Sequence, residues 1–197
     1  MRTIIFILTL LTLIGCSSGY EKTDGKWTYV SYDEAAGKRI KELQVDNESF
    51  VVLENETYAK DRSNVYLKGE KIKNADPITF ETIDQGYSKD KNYVYIDYYK
   101  IYKANPETFE ILKPPYSKDK NTIYCGSLPL ETDYIDNFEI ISTTGMKSII
   151  LTEHFIELNP EYSEIDPEIY HGVVIGNGEL KTRYETFEGH KKNNYAQ

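Results

Sequence analysis

The chain has 197 residues, and its 32 acidic side chains outnumber the 23 Lys and Arg to give a formal net charge of −9. That balance excludes nucleic acid, whose phosphate backbone needs a basic surface, and the length suffices for one domain with a real core. The 18 tyrosines, against 7 Phe and 1 Trp, favour strands with one wet face over helices.

In chain order, the first element is the apolar stretch from Thr3 to Ile14, preceded only by Arg2. It is too short to cross a bilayer as a stable helix and suits the core of a secretory signal over residues 1–15. The stretch ends in Leu13-Ile14-Gly15-Cys16, which resembles a bacterial lipobox. The resemblance implies a diacylglyceryl group on Cys16, anchoring to the membrane through the N-terminal lipid, and a place in the bacterial cell envelope. Ser17 and Ser18 follow with no Asp, which points to the outer membrane in a cell that has two. Several acyl chains at about 0.8 kcal/mol per buried methylene make a stable tether. Residues 16–26 are expected to be that tether. Cys125 is then the one remaining thiol and reads as a buried small hydrophobe.

From residue 27 the chain repeats itself. Three units align at a spacing of 29, opening YAKDRSNVY at Tyr58, YSKDKNYVY at Tyr87 and YSKDKNTIY at Tyr116. A degenerate leading unit covers 27–57, and the full units cover 58–86, 87–115 and 116–141. Each reads as a short strand and a tight hairpin turn, then a return strand and a third short strand. Asp61, Asp90 and Asn92, Asp119 and Asn121 supply the turn chemistry, because Asp favours the first turn position and Asn tolerates a left-handed backbone. The phrase Asp76-Pro77-Ile78-Thr79-Phe80, echoed by Asn105-Pro106-Glu107-Thr108-Phe109, reads as one capped helical or 3₁₀ turn that drops a Phe inward. Such a unit is too short for a propeller blade, which takes about 40 residues, and cannot bury its apolar face alone. The fold class is mainly β, with units stacked into a sheet or solenoid. Lys60, Lys89 and Lys118 are expected to keep strand edges soluble.

At Asp90-Lys91-Asn92-Tyr93 and the DPxTF phrase, over roughly 58–141, the sequence resembles the bacterial DKNYY repeat family. The resemblance implies a bacterial, often exported protein, with no activity or catalytic residues to carry over.

Residues 142–197 leave the period and read as a non-repeat α/β cap on the array. MKSIILTEHFIE from Met146 fits a strand or a short helix equally. Asn159-Pro160 and Asp166-Pro167 read as further capped turns. Val173-Val174-Ile175 reads as a strand ending in a turn at Gly176-Asn177-Gly178, and the terminal KKNNYAQ as frayed.

No catalytic set, cofactor motif or metal site emerges. The three histidines, His154, His171 and His190, match no ligand spacing even with Glu153 or Glu168, and the recurring Asp and Asn residues lack the alternation of a calcium loop. Two functional readings stand. One is a non-catalytic scaffold that binds a glycan or an envelope protein, with Tyr93, Tyr95, Tyr98 and Tyr99 as its candidate aromatic ladder. The other is an envelope hydrolase acting on polysaccharide or peptidoglycan through a carboxylate pair such as Glu153 and Glu161.

Overall fold

The computed structural model describes residues 18–193. The lipobox residues Leu13, Ile14, Gly15 and Cys16 lie outside the described residues. Five antiparallel sheets follow one another, each with its strands side by side in chain order. The first holds β1 (Gly19–Thr23), β2 (Lys26–Asp33) and β3 (Gly37–Glu42). The second holds β4 (Val51–Val52), β5 (Tyr58–Lys60), β6 (Val65–Leu67) and β7 (Glu70–Ile72). The third holds β8 (Glu81–Thr82), β9 (Tyr87–Lys89), β10 (Val94–Ile96) and β11 (Tyr99–Lys100). The fourth holds β12 (Glu110–Ile111), β13 (Tyr116–Lys118), β14 (Ile123–Cys125) and β15 (Leu128–Pro129).

The tail supplies β16 (Phe138–Leu151), helix α1 (Thr152–Leu158), a 3₁₀ turn (Pro160–Tyr162), β17 (Gly172–Thr182), β18 (Thr186–Glu188) and β19 (Lys191–Lys192). The architecture is mainly β, a stack of small similar sheets closed by a larger sheet and a helix. The second, third and fourth sheets straddle the boundaries drawn at 58, 87 and 116, because the first strand of each comes from the end of the preceding sequence unit.

One carboxylate organises each unit. Asp90 Oδ1 accepts the backbone N–H groups of Asn92 (2.7 Å) and Tyr93 (2.8 Å), which shapes the hairpin turn. Its Oδ2 accepts the Tyr95 hydroxyl (2.7 Å) and the N–H of Asp76 (2.9 Å), which opens the preceding helical turn. Asp61 does the same with Ser63, Asn64, Tyr66 and Asp46. Asp119 does so with Asn121, Thr122, Tyr124 and Asn105. The helical turn answers in kind: Thr79 Oγ1 accepts the Lys91 N–H at 3.1 Å and donates to Asp76 Oδ2 at 3.0 Å.

Lys60 and Lys89 are part of this lock and are not solubilising edge charges, since their ammonium groups donate to the carbonyls of Pro77 (2.8 Å) and Pro106 (3.2 Å). Helical turns leave carbonyls without internal partners, and a lysine satisfies them.

Stacking follows from the phenylalanine that each turn drops inward. Phe80 sits between Tyr58 of its own unit and Tyr95 of the next, and Phe109 packs on Tyr87. Tyr58, Tyr66, Tyr87, Tyr95, Tyr116 and Tyr124 are all buried, which corrects the expectation of a wet tyrosine face. Three of them donate to the unit's Asp. Tyr58 and Tyr87 instead face the Ser88 and Ser117 hydroxyls of the following unit without reaching hydrogen-bond geometry.

Three local expectations are corrected. Residues 19–26 are not a tether but the first hairpin, where Tyr20 and Trp27 pack on the core around Phe50 and the turn at Asp24-Gly25 has positive φ at both residues. β17 does not turn at Gly176-Asn177-Gly178 but runs straight through it. Glycine is needed there for space: a Cβ at Gly176 would stand 2.8 Å from the Cys125 sulfur. Lys191 and Lys192 are paired as β19 and not frayed. The ambiguous MKSIILTEHFIE is both things, strand to Leu151 and helix from Thr152.

The tail keeps its own spacing yet reuses the local frame. Asp166 accepts the N–H of Glu168 on its side chain and that of Tyr170 on its carbonyl, as Asp46 does with Glu48 and Phe50. Thr182 takes the place of the recurring Asp, accepting the Glu185 N–H on Oγ1 at 3.1 Å, and Phe187 takes the place of the tyrosine. The short loop 112–115 of the preceding sheet becomes, at 141–178, a pair of long arms that run back along the array. Val174 there exchanges hydrogen bonds with Ser127 and joins the core of the second full unit.

Removing one donor from a buried carboxylate costs about 1–3 kcal/mol. Tyr95→Phe is therefore expected to destabilise by about that much, and Asp90→Thr by about 3 kcal/mol or more, since four donors lose their acceptor. The double variant, which copies the Thr182 and Phe187 pairing, should fall short of the sum by about 1 kcal/mol. Urea unfolding of the four proteins measures this; strict additivity would show that the two side chains are not coupled.

Candidate binding site

The recurring Asp residues have no oxygen to spare for a metal, because each carboxylate already accepts four donors. Among the described residues no group of three or more His, Cys, Asp or Glu is arranged to hold an ion. The histidines are dispersed. His154 is exposed and paired with Glu157, His171 is half-buried against Tyr99 (5.6 Å between rings), and His190 is buried between Phe155 and Tyr162. Burial pushes the Cys125 thiol up to about 12, with the neighbouring Tyr116 opposing, so it is no nucleophile at neutral pH. Glu153 on α1 and Glu161 on the 3₁₀ turn are both exposed. A glycosidase acid is made by burying a carboxyl, and neither side chain has that setting.

The four candidate tyrosines do not form one ladder. Tyr95 is 0% exposed and bonded to Asp90, so no ligand can reach it. Tyr98 donates to the Leu67 carbonyl at 3.0 Å, tying its unit to the one before. Tyr93 and Tyr99 are half-buried and both meet the returning tail.

Where they meet it, the structure assembles a group that the sequence does not place together. Lys100, on β11 opposite Tyr95, is only 3% exposed. Its ammonium lies 3.9 Å from the centroid of the Tyr93 ring. Tyr170 stands edge-on to Tyr93 (6.4 Å, 89°) and to Tyr102 (5.2 Å). The next residue, His171, lies on Tyr99, and Gly172 follows because any Cβ there would fall 2.4 Å from the Tyr99 ring. Desolvation pushes the Lys100 pKa down; Asp90 opposes this and Lys73 adds to it. Desolvation also lowers His171, with Lys73 and Lys100 pushing the same way. The three basic groups are therefore near enough to repel. Basic groups that repel one another favour an added negative charge beside them.

A family model described as the DKNYY family matches the chain twice, over residues 8–98 and 87–196. The chain belongs to the DKNYY family. No curated protein and no solved structure matches it. The second match takes in the tail, where DKNYY turn chemistry returns at Asp166 and Thr182 without the regular spacing.

Lys73, Lys100 and Tyr170 escaped sequence reasoning, and His171 was weighed there only as a metal ligand. Laying Asp166-Pro167-Glu168-Ile169-Tyr170 over the DPxTF phrase would have set Tyr170 in the inward aromatic position.

His190 gives this DKNYY protein an acid sensitivity. Burial, with Lys191 adding, lowers its pKa from 6.5 to about 4, and its Nε2 has no partner. Above pH 6.5 both folded and unfolded chains hold it neutral. As pH falls below that value the unfolded chain takes up a proton that the folded one refuses, so stability drops until about pH 4. The expected loss between pH 7 and pH 5 is about 2 kcal/mol. His190→Phe, which suits the Phe155 and Tyr162 packing, should lack it. Equal pH slopes for the two proteins in urea unfolding would show that His190 is not the group responsible.

Proposed function

We propose that this protein is a non-catalytic envelope lipoprotein, tethered through lipid on Cys16, whose DKNYY array is a binding scaffold for a glycan or an envelope protein. The observation that carries the binding half is the Tyr93, Lys100, Tyr170 and His171 group, where aromatic and basic side chains converge with no acid or nucleophile positioned for chemistry. The anchoring half rests on Leu13-Ile14-Gly15-Cys16 closing an apolar stretch with a single leading charge. Among the described residues no helix is long and apolar enough to cross a membrane. The first hairpin begins at Gly19, so a lipid on Cys16 would hold the stack close to the surface. In a diderm cell the sorting residues Ser17 and Ser18 favour the outer membrane.

The test is metabolic labelling with a palmitate analogue in bacteria that express the full chain, followed by fractionation. Wild type should be labelled and sediment with membranes. Cys16→Ala should carry no label and leave the membrane pellet. Unlabelled wild-type protein, or an unchanged distribution of the variant, would overturn the lipid anchor.

A further inference from the structure

We infer that the cluster of Tyr93, Lys100, Tyr170 and His171 binds an acidic saccharide, a sugar ring bearing a carboxylate. This deepens the binding-scaffold reading and rests on it. Lys100 is buried, and among the described residues its ammonium makes a ring contact with Tyr93 but no hydrogen bond or ion pair. The stem is buried but the nitrogen is not fully enclosed, so it is short of hydration and still open to a carboxylate. Neighbouring acids do not fill the role. Asp90 spends both oxygens on two turn amides, the Asp76 amide and the Tyr95 hydroxyl. Glu164 pairs with Lys103, and Asp97 with Lys147.

His171 brings a second unmet need, since its Nδ1 is buried without a partner. The ammonium rests on Tyr93, whose ring meets Tyr170, the residue before His171, and both nitrogens can donate to an anionic ligand, the imidazole in the tautomer that carries its proton there. Lys73, exposed nearby, gives an acidic ligand a favourable approach in a chain whose net charge is −9.

The walls select the rest of the ligand. Tyr93, Tyr99 and Tyr170 are half-buried, and a sugar's C–H face stacks on tyrosine rings that are not fully enclosed. Bare acetate would satisfy the cations and leave the rings unused, whereas a neutral sugar would do the reverse.

The experiment is calorimetric titration of the detergent-solubilised full chain with a galacturonate trisaccharide, its methyl ester and acetate. The acid form is expected to bind about tenfold to hundredfold more tightly than the ester, the range set by one or two charge-assisted hydrogen bonds. Lys100→Met keeps the packed stem, and should lose the same factor while its melting temperature stays level or rises. His171→Gln, a milder change, should weaken binding in the same direction and serves if Lys100→Met does not fold. No binding by wild type, equal binding of acid and ester, or unchanged affinity in both variants would overturn the proposal. A non-binding wild type that is still palmitate-labelled at Cys16 would leave the envelope anchor standing, so the two failures are separable.

Discussion

The structure depends on a buried aspartate carboxylate that accepts four hydrogen bonds, once per unit. Asp90 is 2% exposed, and without partners its charge could not stay buried. Two turn amides, one amide from the preceding helical turn and one tyrosine hydroxyl supply the partners. At Asp61 burial tends to raise the carboxyl, yet the hydrogen bonds from Tyr66, Ser63, Asp46 and Asn64 prevail and hold it below the usual carboxylate range. Each carboxylate thus joins a hairpin, a strand and the turn before them. The tail exposes the logic: with Thr182 in the aspartate's place there is one acceptor oxygen for the turn, and Phe187 brings no hydroxyl needing the other. The leading hairpin avoids the problem with a two-residue turn at Asp24-Gly25, too tight to need the carboxylate.

Once that knot fixes each unit, stacking is a matter of aromatic geometry. The helical turn is pinned, so its phenylalanine can only point into the interface: Phe50 and Phe80 each meet a tyrosine of the unit that follows, and Phe109 packs on Tyr87 of its own unit. Tyrosine serves where phenylalanine alone would not, because its hydroxyl reaches the Asp while its ring fills the core. Where the array ends, the polar pairing ends too. Leu180 occupies the position of Ser88 and Ser117, and Tyr116 turns its hydroxyl toward the Cys125 sulfur.

The repeat was legible because its residues perform the same local task each time. Asp and Asn declare a turn, Pro a helical start and Phe a buried contact, and all of this is readable within a few neighbouring positions. What the sequence concealed was either dispersed or non-local. Lys60 and Lys89 look like surface charges until Pro77 and Pro106 carbonyls are found beside them, since both lie in the next helical turn along. Tyr20 looked like linker because only the fold brings Phe50 to it. The tail hid its likeness to the array because its hairpin loop is stretched into two arms and a helix, which removes the regular spacing while leaving the hydrogen-bond frame.

That stretched loop explains why the candidate site lies where it does. In the repeat frame the place of Lys100 is held by Lys71 one unit earlier and Pro129 one unit later, and that of Tyr93 by Asn64 and Thr122. Lys71 is exposed, with its ammonium 6.0 Å from the Tyr66 ring. Lys100 is buried because the returning arm lays Tyr170 and His171 over the second full unit, which carries the aromatic neighbours that the other units lack. Positions that recur answer to the needs of the stack. What breaks the pattern is Tyr93 and the arm laid over it, and together they enclose a lysine that the preceding unit leaves exposed.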